Sequence, residues 1–241
     1  MARLLFILLL LASAPALAQS TDDAEQCLRL GESEDDAASD RRIAVCTRAI
    51  ESGELSQEKL AVTLNSRGAT YARRGDLERA IADHDAALRL YPDFLAALLD
   101  RGMAYGMKGD YEGSVADFSA VILRNPKLAQ AYNGRCYTLA LMGETARAID
   151  DCNRALASEP NTPYILDSRA YAFLRAGDFR RALADYDLIL QIEPKNAAAL
   201  YGRGVARLRL GRQQDGGQDL AAARAADPAI DAAMQKIGLA P

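Results

Sequence analysis

Tryptophan is absent from this chain, histidine occurs once, at position 84, and aromatic residues make up only 6% of the sequence. One imidazole cannot build a histidine metal cluster. No glycine-rich phosphate loop, metal-ligand cluster, catalytic triad or close Cys-x-x-Cys pair accompanies it. Clustered positive charge is missing too. The 29 Lys+Arg against 33 Asp+Glu leave a formal net charge of −4, which argues against the basic groove that nucleic-acid binding needs. Beyond the first residues, no apolar run approaches the ~20 positions of a membrane span. No segment alternates apolar and polar residues as a half-buried strand does. What is left is an all-α chain whose candidate chemistry is sparse.

The chain opens MARLLFILLLLASAPALAQS, with one positive charge, an apolar run from Leu4 to Ala12, and small residues at Ala16 and Ala18. This reads as a secretory signal over residues 1–18, cut after Ala18, with no membrane span left after cleavage. Export to the periplasm or the outside changes how the four cysteines read, because an even count in an oxidising compartment points to disulfides. Residues 19–39 follow. They are so rich in acids that a solvated, partly ordered arm is expected there.

From there the sequence keeps a ruler. Pro92, Pro126, Pro160, Pro194 and Pro228 stand 34 residues apart, as do Arg67, Arg101, Arg135, Arg169 and Arg203. Asp83, Asp117, Asp151, Asp185 and Asp219 hold the same interval. A fixed period of this size marks a stacked repeat. Each copy reads as two helices, such as "EKLAVTLNSRGATYARRG" followed by "DLERAIADHDAALRLYP". Glycine allows the left-handed turn that ends the first helix, aspartate caps the second, and proline closes the copy. "IAVCTRAI" (43–50) aligns with "IADHDAAL" (81–88), displaced by 38 residues, so a degenerate hairpin helix and linker over 40–56 precede the full copies.

"NSRGATYARRGDLERAIADHDAALRLYP" resembles the tetratricopeptide repeat, with small residues where the family's paired helices touch (Gly68, Gly102, Gly204; Ala80, Ala148, Ala182) and bulky ones at Tyr71, Tyr105 and Phe173. The resemblance covers 57–228 as five repeats, about 61–94, 95–128, 129–162, 163–196 and 197–230, with 229–241 as a capping helix and tail. It implies a right-handed superhelical solenoid of antiparallel helix pairs. Two departures are Ser114 and Gly216 in place of alanine. Gly216 and Gly217 are expected to cost the fifth repeat roughly 1 kcal/mol each.

The repeat absorbs the reactive residues. His84 has Phe118, Cys152, Tyr186 and Leu220 as its equivalents, so it reads as a packing residue. Cys136 and Cys152 lie at similar distances on either side of the turn residue Gly143, and Cys27 and Cys46 flank another expected turn, so the pairs Cys27–Cys46 and Cys136–Cys152 are predicted. Each Arg of the ladder can meet an Asp across its own hairpin or in the neighbouring copy. No catalytic residue, metal site or cofactor is expected. The alternative, a thiol-redox factor or enzyme using His84 or a cysteine pair, lacks a partner constellation.

In the family the first helix of each pair lines the concave side and holds an extended peptide or a partner's helix. Carried onto this chain, the resemblance implies a groove row of Asn65, Leu99, Asn133, Asp167 and Tyr201. Met103, Tyr137 and Tyr171 stand one turn on, and Arg73, Arg175 and Arg209 at the edge; the tyrosines can equally cover the neighbouring helix, and the sequence leaves both readings open. The function expected is a non-catalytic protein–protein interaction scaffold, exported, binding a peptide segment or partner protein and no nucleic acid.

Overall fold

The computed structural model describes residues 13–30 and 35–241, with side chains from residue 19 onward; most of the expected signal segment, residues 1–12, lies outside the described residues. Thirteen helices and no strand occur among the described residues. They are α1 (Ser13–Arg29), α2 (Asp36–Glu51), α3 (Gln57–Arg73), α4 (Leu77–Leu90), α5 (Leu95–Lys108), α6 (Tyr111–Arg124), α7 (Ala129–Met142), α8 (Thr145–Ser158), α9 (Pro163–Arg175), α10 (Phe179–Ile192), α11 (Ala197–Arg209), α12 (Gln213–Ala226) and α13 (Ile230–Lys236).

The punctuation works as its chemistry requires. Gly75, Gly109, Gly143, Gly177 and Gly211 all take positive φ between paired helices, where a Cβ would be strained. Asp76, Asp110 and Asp178 accept hydrogen bonds from the backbone N–H of Arg79, Gly113 and Arg181, satisfying donors that a helix start leaves open.

The helices form two compact units, Met1–Lys108 and Gly109–Pro241. In the first, α1 to α5 pack in chain order, and α3 also touches both α1 and α5. In the second, α6 to α12 pack in order, α9 also touches α7 and α11, and α13 closes on α11 and α12. Within each unit, second helices of successive hairpins do not meet among the described residues. First helices packed together while second helices splay apart give each unit a concave side lined by its first helices.

The segment expected as a partly ordered arm carries helix at both ends: α1 runs into it as far as Arg29 and α2 begins at Asp36. Ser20, Asp23, Ala24 and Cys27 are buried, a spacing that puts them on one helical face, while Asp22, Glu25, Asp35 and Asp36 are exposed. Arg48 bonds Asp23 at 2.8 Å and Arg42 donates to the Cys27 carbonyl at 3.0 Å. Disulfides join Cys27 to Cys46 and Cys136 to Cys152, each within one helical hairpin, and no described cysteine is free.

Packing between hairpins relies on size matching. Phe118 and Tyr186, on second helices of the second unit, press against Gly134 and Gly202 on the first helix of the next hairpin. A Cβ at either glycine would come within 2.4 Å or 2.2 Å of those rings. Ser114 replaces the expected alanine without a buried orphan, because its hydroxyl meets that of Thr138 at 3.0 Å. Gly216 and Gly217 differ sharply. A Cβ on Gly216 would meet Leu208 at 2.7 Å and the Gly204 carbonyl at 2.9 Å, whereas one on Gly217 would meet nothing within 4 Å. Helix α12 therefore uses the first glycine for close approach and has no steric need of the second.

Candidate peptide-binding face

The arginine ladder occupies residues that could otherwise serve a ligand. Arg67, Arg135, Arg169 and Arg203 grip Asp83, Asp151, Asp185 and Asp219 across their own hairpins through paired bonds of 2.7–2.9 Å. A third nitrogen reaches back to the preceding second helix: Arg67 to Thr47, Arg101 to Asp85, Arg135 to Ser119, Arg169 to Asn153, Arg203 to Asp187. The route across each hairpin is the one the ladder aspartates take; the backward contact goes instead to the residue two positions beyond the ladder aspartate, which is Asp85 or Asp187 in two copies and Ser119 or Asn153 in two others. The guanidinium fork has enough donors to stitch three helices at once. Hydrogen bonding to Asp83, Asp151 and Asp219 raises the pKa of Arg67, Arg135 and Arg203 further still.

His84 is fully buried beside Gly68, its Nδ1 2.8 Å from the Asn65 Oδ1. Asn65 donates its amide to Asp100 at 2.8 Å, which turns Oδ1 toward the ring and makes Nδ1 the protonated nitrogen. Burial, with Arg101 nearby, pulls the imidazole pKa down to about 4, so it is neutral under ordinary conditions. Asn65 is thereby committed to an internal chain, and its neighbour in the expected row, Leu99, is buried in the core. In the first unit only Met103 and Arg73 of the expected face stay exposed, with Met107 beside them.

In the second unit the expected tyrosines divide. Tyr171 and Tyr201 are each only 2% exposed. The Tyr171 hydroxyl donates to the Ile237 carbonyl at 2.6 Å and accepts from Arg175 at 3.0 Å. Tyr201 lies on α11 against α13, where burial and the nearby charge of Asp231 raise its phenol pKa. The segment after Pro228 thus folds back over these two rings, and Leu239 joins the same core. Of the two readings open for these rings, Tyr171 and Tyr201 take the packed one. Arg175 and Arg209 remain exposed at the edge.

Asn133, Tyr137 and Asp167 are the expected positions left half-open. The Tyr137 ring lies 5.6 Å from that of Tyr171. Desolvation, then the charges of Tyr171, Asp167 and Tyr111, pushes the Tyr137 phenol up to about 12. Desolvation alone raises the Asp167 carboxyl to about 6. Tyr111, near the start of α6, completes this tyrosine cluster. Sequence reasoning passed over it because it lies on a second helix, outside the family's groove positions, although "GDYEG" marks it as the residue beside a cap.

Comparison with known proteins agrees with this architecture. The family model described as "Tetratricopeptide repeat" matches residues 66–120, 99–163 and 168–229, more than half of the chain. The protein belongs to the tetratricopeptide repeat family. Comparison with curated protein sequences returns no match. Among solved structures, a tetratricopeptide repeat protein from Parabacteroides merdae is similar at a TM-score of 0.71 and 14% identity, covering 86% of this chain and 78% of that one. TTC0263, a thermophilic TPR protein of Thermus thermophilus, gives 0.61 at 22% identity over 78% and 99% of the two chains. YrrB, described as a TPR protein with an unusual peptide-binding site, gives 0.56 at 20% identity over 80% and 98%. At these identities the likeness speaks to the fold.

Proposed function

We propose that this protein is a non-catalytic interaction scaffold that binds an extended peptide segment of a partner protein on the first-helix face of its second unit. The observation that carries the reading is the half-open patch of Asn133, Tyr137 and Asp167 on α7 and α9, beside residues that packing and the ladder otherwise commit. Tyrosine is among the residue types that concentrate binding energy at interfaces. The peptide-binding site named for the YrrB neighbour supports the same use of the fold.

Export fits the same picture. Two disulfides suit an oxidising compartment, and no described helix is long and apolar enough to cross a membrane. Cleavage after Ala18 would trim the start of α1 and leave Ser20, Asp23 and Cys27 to dock it. We therefore place the mature chain in the periplasm or outside the cell. A redox or catalytic role draws less support: all four cysteines are joined in pairs, and His84 spends its proton on Asn65 inside the core.

Affinity capture from envelope extract tests the reading, using wild type and Tyr137→Ala. Tyr137 is chosen because it is half-buried, whereas Tyr171 and Tyr201 are buried in the core. We expect the variant to lose partners that wild type retains. Equal recovery by both would overturn the assignment to this face.

A further inference from the structure

Three buried ladder aspartates of the second unit, Asp151, Asp185 and Asp219, are each held by arginine. Asp167 makes no ion pair or hydrogen bond among the described residues, although desolvation already penalises its charge. It sits on α9, one turn before Tyr171. Its repeat equivalent on the adjacent α7, Asn133, carries a buried Oδ1 with no hydrogen-bond partner. The reason for that orphan is visible in the first unit, where Asn65 Oδ1 accepts a proton from His84. In Asn133's own hairpin the place of His84 is taken by Cys152, whose sulfur is tied to Cys136 and has no proton to give. Tyr137, one turn beyond Asn133, makes no hydrogen bond through its hydroxyl among the described residues. Its ring lies tilted at 41° to that of Tyr171, and the phenols of Tyr137 and Tyr186 both feel the charge of Asp167.

The patch therefore holds a carboxylate and an amide oxygen that lack donors, walled by aromatic rings whose faces are electron-rich. Such a surface complements a cation on an apolar stem. We propose that the face formed by Asn133, Tyr137 and Asp167 binds a lysine or arginine side chain of the partner peptide, its charged head at Asp167 and Asn133 and its methylenes on Tyr137. The proposal rests on the peptide-binding reading above and names the chemistry of the peptide. The chain's net charge of −4 also favours approach of a basic segment.

A library of N-acetylated, C-amidated hexapeptides, equilibrated with wild type, Asp167→Asn, Asn133→Ala and Tyr137→Ala, tests it; circular dichroism checks that each variant keeps its helix content. Wild type is expected to enrich peptides with Lys or Arg at one fixed position, and replacing that residue by norleucine should weaken binding at least about ten-fold. Asp167→Asn should abolish the basic preference and Asn133→Ala reduce it. Unchanged preference in both variants overturns the proposal. Enrichment of peptides without a basic residue, lost in Tyr137→Ala and retained in Asp167→Asn, leaves the groove and removes the cation. Enrichment of no peptide at all removes both.

Discussion

Asp167 occupies a position that favours its neutral form. A carboxyl held near 6 in the folded chain, against about 4 when unfolded, makes folding take up a proton between those values. Its contribution to stability is present in full below about pH 4 and is lost as pH rises through 6. At pH 7.5 the ionised side chain then costs the fold about 2 kcal/mol, after allowance for its partial contact with water. Asp167→Asn should therefore stabilise the protein by that amount at pH 7.5 and by almost nothing below pH 4, read from urea unfolding at the two pH values. Equal effects at both would show that the carboxyl titrates normally. A residue whose removal strengthens the fold is retained for something other than the fold, which is how functional positions often behave.

At the scale of helices, two adjacent glycines make a sharp comparison. Gly217→Ala should stabilise α12 by about 1 kcal/mol, because helix propensity improves and the new methyl meets nothing. Gly216→Ala should destabilise by about 1–3 kcal/mol, since the methyl must displace Leu208 and the backbone of α11. Thermal unfolding of the two variants checks this; shifts of the same sign would contradict the packing described. Sequence alone priced these glycines alike, because propensity is local and close approach is a property of the partner helix. For the same reason Gly134 and Gly202 could not be assigned to Phe118 and Tyr186 before the stacking was known. The hairpins themselves were legible. Five prolines, arginines and aspartates in one register set the helix pairs, and that register also brought Cys136 and Cys152 face to face, while Cys27 and Cys46 were placed by flanking a turn outside it. In the acidic segment the charge count says nothing of phase, whereas Ser20, Asp23, Ala24 and Cys27 mark a helical stripe.

At the scale of the molecule, what could not be read ahead was which positions of the expected face remain open. That depends on contacts far apart in sequence: α13 and Leu239 return over Tyr171 and Tyr201, and Asn65 is drawn into the His84 chain. Subtracting these leaves a small, acceptor-rich patch on α7 and α9, where binding is placed. Amide hydrogen exchange, run with and without a peptide that the chain enriches, tests that placement most directly. Added protection should concentrate on α7 and α9 around Asn133, Tyr137 and Asp167. Protection confined to the second helices α8 and α10, or to α12, would contradict the account.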